Sequence, residues 1–181
     1  TALSAGRRVL VIGTGGIGRA TARLLKAVGM EVMGAGRTAR QDPDFGTIIA
    51  SDELVEHVGW ADHVVLIAPL TEQTRGLVGH EVLEHMKPTA HLINAGRGAL
   101  VDEPALIAAL QEGRIAAASL DVVSQEPLPQ DSPLWDMDEV HLSAHMSGDV
   151  VGWRDTLSEQ FERNLEAWVQ GRPLSNEVDK Q

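Results

Sequence analysis

Two sets of residues in this sequence have types and spacings that could do chemistry. The first is Gly13-Thr14-Gly15-Gly16-Ile17-Gly18, which follows the apolar run Val9-Leu10-Val11-Ile12 and leads into a helix-like segment, 19–28. Strand, glycine turn and helix start, in that order, make a cradle for a dinucleotide's phosphates. The first glycine makes the tight turn, the second lets the backbone approach a pyrophosphate, and the third lets helix pack on strand. The N–H groups left free at the helix start face the anion. The second set is a guanidinium, a carboxylate and an imidazole: Arg97, Glu126 and His145. Each lies just past an apolar run of strand length, in Asn94-Ala95-Gly96-Arg97-Gly98, Asp121-Val122-Val123-Ser124-Gln125-Glu126-Pro127 and Ser143-Ala144-His145-Met146-Ser147-Gly148. A lone histidine is more often structural and a lone arginine more often a surface charge. Three strand ends together are a stronger signal, because ligands of an open parallel sheet bind at the carboxyl ends of its strands.

Holding these groups together requires alternating strands and helices, and the chain has that alternation. Strands are expected at 8–13, 31–34, 64–68, 91–94, 116–122 and 139–143, and helices at 16–28, 52–58, 81–86 and 103–111. The order predicts an α/β fold, a Rossmann-type doubly wound parallel sheet in three αβα layers. The Pro-rich stretch 126–133 is expected to be a shaped loop. A last helix, about 149–170, carries Trp153, Leu157, Phe161, Leu165 and Trp168 on one stripe, which predicts a core-facing helix, with a partner-binding helix as the alternative.

The 181 residues suffice for one sizeable core and are short for two. A net charge of −11 argues against a nucleic-acid surface. No apolar run approaches the ~18 residues of a membrane span, and no signal-peptide pattern opens the chain. With no cysteine, disulfide and thiolate chemistry are excluded. No metal-ligand spacing is found. The remaining histidines, His57, His63, His80, His85, His91 and His141, read as surface or core residues. The first residue is Thr1 rather than Met, which fits a processed chain or a fragment.

The dinucleotide is read from the end of the second strand, where an acidic residue usually binds the ribose 2′-OH. That place falls near Gly36, in Ala35-Gly36-Arg37-Thr38-Ala39-Arg40, and no carboxylate is there. Its absence relieves repulsion of a 2′-phosphate, and Arg37 offers a fork of donors to phosphate oxygens. Two unit charges ~4 Å apart at an effective dielectric of ~20 interact by ~4 kcal/mol before screening, so a tenfold preference is within reach. Arg37, Thr38 and Arg40 are therefore expected to favour NADP(H), with NAD(H) possible. The alternative is that both arginines are solvated loop charges.

The ordered set of motifs resembles the NAD(P)-binding domain of the D-isomer-specific 2-hydroxyacid dehydrogenases over essentially the whole chain. The residues that carry the resemblance are the glycine loop, Ala68-Pro69-Leu70-Thr71-Glu72-Gln73-Thr74-Arg75-Gly76-Leu77, Met86-Lys87-Pro88, 93–98, Leu100-Val101-Asp102-Glu103, Asp121-Val122, Glu126-Pro127-Leu128, Ser132-Pro133-Leu134-Trp135, and His145 with Gly148. Two positions depart from the family. Ala144 replaces the proline usual before the histidine, and Gly36 replaces the acid of NAD-specific members. The resemblance implies hydride transfer between NADP(H) and a small 2-ketoacid or 2-hydroxyacid. Arg97 would hold the substrate carboxylate and carbonyl oxygen. His145 would protonate the developing alkoxide and act as base in reverse. Glu126 would fix the imidazole's tautomer and favour its protonated form. Asp121 would contact the nicotinamide carboxamide or, alternatively, cap a loop. Pro69, Thr74, Ala95, Ser147 and Gly148, together with Arg97, Asp121 and His145, would line the cofactor groove, although Thr74 could equally cap a helix. Formate dehydrogenases share the fold but place Gln before the proline of the Glu126 loop, so Glu126 favours ketoacid chemistry.

The resemblance also implies a cytoplasmic parent protein that forms a homodimer. It implies an N-terminal substrate domain that is absent from this chain, toward which the last helix would pack. The chain by itself is then expected to bind cofactor and to turn over slowly or not at all, because water is not excluded and the ketoacid is poorly held. The reading from a different class is a dinucleotide-binding or interaction module without catalysis, as in corepressor relatives.

Overall fold

The computed structural model describes residues 4–177, so Thr1 lies outside the described residues. The chain divides into two compact units, Thr1–Ser147 and Gly148–Gln181.

The first unit is built on one eight-stranded sheet among the described residues. Its strands are β1 (Arg8–Ile12), β2 (Glu31–Gly36), β3 (Arg40–Asp42), β4 (Gly46–Ala50), β5 (His63–Leu66), β6 (His91–Asn94), β7 (Ala117–Leu120) and β8 (Val140–Leu142). The order is β3-β4-β2-β1-β5-β6-β7-β8. All neighbours are parallel except β3 and β4. The helices are α1 (Gly16–Ala27), α2 (Leu54–His57), α3 (His80–His85) and α4 (Glu103–Gln111).

β1 shows why the sheet is parallel and central. Its residues Val9, Leu10, Val11 and Ile12 are all buried, so both faces of the strand are covered. Leu10 and Ile12 join Val64, Leu66, Leu92, Ala118 and Leu120 in a core completed by Val82, Leu83, Leu106 and Leu110 from α3 and α4. Val9 and Val11 point the other way, to Ala22 of α1 and to Phe45 and Ile48. Helices therefore flank the sheet on both faces, in the expected three-layer Rossmann-type arrangement. The strand order reverses between β1 and β5, which puts the ligand crevice at their carboxyl ends.

Two expectations are corrected and one element is added. Residues 37–50 contain the β3–β4 hairpin, which periodicity did not signal because β3 is three residues long and polar. The expected helix 52–58 is a single α-turn, α2, flanked by 3-10 turns at Ser51–Glu53 and Val58–Trp60. In the second unit the helix is α5 (Trp153–Val169), and its apolar stripe is not core-facing. Trp153, Leu157, Phe161, Leu165 and Trp168 are all exposed, Phe161 to 66% and Trp168 to 71%. A single helix has no second apolar layer in its own unit. The tail that follows it is tied by polar bonds: Ser175 donates its N–H and Oγ–H to Asn164 Oδ1, and Asn164 Nδ2 donates back to the Ser175 carbonyl.

Candidate active site

The glycine loop has the geometry that its sequence predicted. Gly13 has φ 113°, and a Cβ there would sit 2.6 Å from Ala68 N, so only glycine fits between β1 and the end of β5. A Cβ on Gly18 would collide with the Gly13 carbonyl, which is the close helix–strand packing assigned to the third glycine. A Cβ on Gly15 or Gly16 would meet open space. That is the cradle a pyrophosphate would fill at the start of α1. Ile17, on the first turn of α1, is exposed beside it.

At the end of β2 the expected acidic position is Gly36. A Cβ there would lie 3.0 Å from Thr14 Oγ1 of the glycine loop. Arg37, Thr38 and Arg40 are exposed. Arg40, in β3, donates from Nη2 to Thr14 Oγ1 at 3.3 Å and from Nη1 to the Thr38 carbonyl at 3.1 Å. Arg37 makes no ion pair among the described residues. Past β5, Thr74 caps no helix. Its hydroxyl donates to the Pro69 carbonyl at 2.7 Å and accepts from Thr71 N–H, which closes the loop 69–74 on itself.

Past β6, β7 and β8 lie the three candidate catalytic groups. Buried Asn94 shapes the first turn: its Oδ1 accepts from Gly96 N–H and its Nδ2 donates to the Arg97 carbonyl, each at 3.1 Å. The Arg97 guanidinium is exposed and donates to the Gly96 carbonyl at 2.7 Å. His145 and Glu126 are paired directly, with His145 Nδ1 2.7 Å from Glu126 Oε2. The pair fixes the tautomer in which Nδ1 carries the proton toward Glu126 and leaves Nε2 for a substrate. The bond from His145 holds the Glu126 carboxyl below the usual carboxylate range, with a smaller contribution from the charge of Arg97. A cavity of about 260 Å³ opens beside the pair, lined by Leu128, Trp135 and Leu142 among others.

Asp121 has the loop-capping role that the sequence offered as its alternative. Its Oδ1 accepts from Ser143 Oγ at 2.5 Å and Met146 N–H at 2.9 Å, its Oδ2 from Ser147 N–H at 2.9 Å, and its carbonyl from His145 N–H at 2.9 Å. Burial raises its pKa, but the hydrogen bonds from Ser143, Ser147 and Met146 outweigh burial and hold the carboxyl well below its ordinary range. Asp121 therefore anchors the loop that carries His145. The signals available in sequence were an acidic residue closing an apolar strand and a serine two residues before the histidine. Ala95 follows β6 directly, with its N–H on the Leu66 carbonyl. Gly148 belongs to the second unit.

A family model, "D-isomer specific 2-hydroxyacid dehydrogenase, NAD binding domain", matches residues 2–147. The chain belongs to that family. The matched span coincides with the first compact unit. Among relatives of this dehydrogenase domain, a glyoxylate reductase of Korarchaeum cryptofilum is 38% identical over 179 residues, covering 97% of this chain and 53% of that protein. A family protein from Aeromonas salmonicida superposes with a TM-score of 0.89 at 36% identity, covering 98% of this chain and 57% of that one. A D-isomer-specific 2-hydroxyacid dehydrogenase from Xanthobacter autotrophicus, solved with NADPH and MES, gives a TM-score of 0.85 at 38% identity and covers 98% of this chain and 73% of that one. The chain thus spans about half the length of the curated relatives it matches.

Proposed function

We propose that this chain is the cofactor-binding part of a reductase that uses NADP(H) and a small 2-ketoacid or 2-hydroxyacid, with His145 as acid/base and Arg97 as substrate anchor. The observation that carries the reading is the 2.7 Å bond between His145 and Glu126 at the carboxyl ends of adjacent strands. The nicotinamide, when bound, supplies the hydride. Arg97 pairs its planar fork with the ketoacid's carboxylate and draws electron density toward the carbonyl oxygen. As the carbonyl carbon is reduced, its π pair moves onto oxygen, and His145, carrying a proton on both ring nitrogens, delivers the one on Nε2 and is left neutral. Glu126 takes no proton and steadies the ring through Nδ1. In the oxidative direction the same nitrogen removes the hydroxyl proton.

The glycine loop from Gly13 to Gly18 would hold the pyrophosphate, and Pro69, Thr74, Ala95, Asp121, Ser147 and Gly148 would line the groove. The preference for NADP(H) rests on the missing side chain at Gly36 and on two arginines, Arg37 and Arg40, without carboxylate partners among the described residues. A structural neighbour solved with NADPH and a relative named glyoxylate reductase support the same direction. With side-chain exposures of 49% for His145 and 38% for Glu126, the pair is open to water in this chain. By itself the chain is therefore a cofactor binder with slow turnover. The same reading carries a cytoplasmic parent that pairs as a homodimer, which light scattering tests.

The test is NADPH and NADH affinity on one sample, with Arg37→Ala and Arg40→Ala alongside, together with NADPH oxidation by glyoxylate, hydroxypyruvate and pyruvate. NADPH should bind at least about tenfold more tightly. Equal affinities would overturn the preference. A biological effect indifferent to His145→Ala would favour a non-catalytic module.

A further inference from the structure

The β3–β4 hairpin lies at the edge of the sheet, and its turn is bound to α1 by four charged side chains. Arg19 donates to Asp42 from Nη1 at 3.0 Å and from Nη2 at 2.8 Å, and from Nη1 to Asp44 at 3.0 Å. Arg23 donates to Asp44 from Nε at 2.7 Å and from Nη2 at 3.0 Å. Asp42 is buried, and its Oδ1 also accepts from the Asp44 N–H at 2.9 Å, which shapes the turn. Arg19 further lies over the Phe45 ring, 5.9 Å from its centroid.

Asp42 and Arg40 are two residues apart on β3, so their side chains leave the same face of the strand. One end of that face is tied to α1 by Asp42. The other carries Arg40 to Thr14 in the glycine loop, beside the gap at Gly36. The two arginines and two aspartates cancel in charge, so the clamp adds rigidity without attracting an anion. Arg37 and Arg40 are left as the uncompensated cations of this corner among the described residues.

We propose that Arg19 and Asp42, supported by Arg23 and Asp44, are the positioning residues of the NADP(H) preference: a neutral clamp that fixes the strand holding Arg40 over the phosphate cradle. This rests on the reading that Arg40 meets the 2′-phosphate. The clamp reaches the phosphate only through Arg40, so its effect belongs in the ratio of the two cofactors' affinities and not in dinucleotide binding as such.

The decisive variant is Arg19→Gln with Asp42→Asn in one chain, which removes the charged, bidentate bond and leaves net charge unchanged. Calorimetry with NADPH and with NADH should show NADPH weakened by about tenfold, the loss of one charge-assisted contact, and NADH changed by less than about twofold. Adding Arg40→Ala to that variant should cost less than about twofold more, because Arg40 is already displaced. Arg19→Lys, which keeps the charge and loses the fork, serves if the double variant fails to fold, and should weaken NADPH selectively by a smaller factor. An unchanged ratio, or equal losses for both cofactors, would overturn the proposal. Failure of the underlying reading looks different: the unaltered chain then binds both cofactors equally and Arg40→Ala is silent.

Discussion

His145 is a non-glycine residue at φ 52°, a left-handed conformation that costs free energy and persists only where its surroundings impose it. The surroundings are the bonds to Asp121, three to its carboxylate and one to its carbonyl. Ser143→Ala removes one of the three side-chain bonds and should cost about 1 kcal/mol in urea unfolding. Asp121→Asn places an amide before N–H donors and should cost about 1–3 kcal/mol. The sign with pH follows from the lowered pKa of Asp121: its contribution is complete above the ordinary aspartate value of about 4 and is lost as pH falls through the lower folded value. The stability gap between the unaltered chain and Asp121→Asn should thus be constant from neutral pH to about pH 4 and close only below it. His145→Ala should leave NADPH affinity within about twofold and lower ketoacid turnover in the assembled enzyme by about 10²–10⁴-fold, the range for losing a general acid.

At the scale of elements, the hairpin at residues 40–50 is the part of the proposed cofactor site that has no periodic signature. Its ion pairs make a prediction of their own. Arg23 and then Arg19, by hydrogen bonding, lower the Asp44 pKa to about 2, below the ordinary value near 3.9. The clamp's contribution is therefore present above about pH 4 and disappears as pH falls through about 2. Acid titration of the hairpin's amide signals should show Asp44→Asn and the unaltered chain converging across that window. A difference that vanished near pH 6 would contradict it. β1 was legible because burial on both faces demands an unbroken apolar run, Val9-Leu10-Val11-Ile12, and β2, β5, β6, β7 and β8 because short apolar-rich runs alternate with helices. Arg97, Glu126 and His145 were legible because polar residues just past such runs fall at the ligand crevice. β3 was not, because Arg40-Gln41-Asp42 is held by side-chain bonds to α1 and by one antiparallel neighbour. The Pro43-Asp44-Phe45-Gly46 turn followed by Thr47-Ile48-Ile49 was the available signal. The partners of Asp121 were not legible, because they include backbone N–H groups about 25 residues away, which no local pattern encodes.

On the scale of the whole molecule, the sheet, its two apolar clusters and every candidate site residue except Gly148 lie in residues 1–147. The family model ends at the same residue. The second unit is dominated by a helix whose apolar side chains are exposed along its length, a pattern of few buried contacts that marks low local stability. An amphipathic stripe is legible in sequence as a periodicity, but the surface that would cover it is not encoded in the helix. The division predicts separable behaviour. A chain ending at Gly152 should keep NADPH affinity within about twofold, because the glycine loop, the Arg40 corner and the His145 loop with its Asp121 bonds all remain. It should also keep the cooperative unfolding transition, because both buried clusters are retained whole; the buried Ala167 belongs to neither. Calorimetry of the shortened chain with NADPH, together with urea unfolding, tests both. A loss of affinity beyond about tenfold would overturn the prediction and give residues after Gly152 a part in cofactor binding.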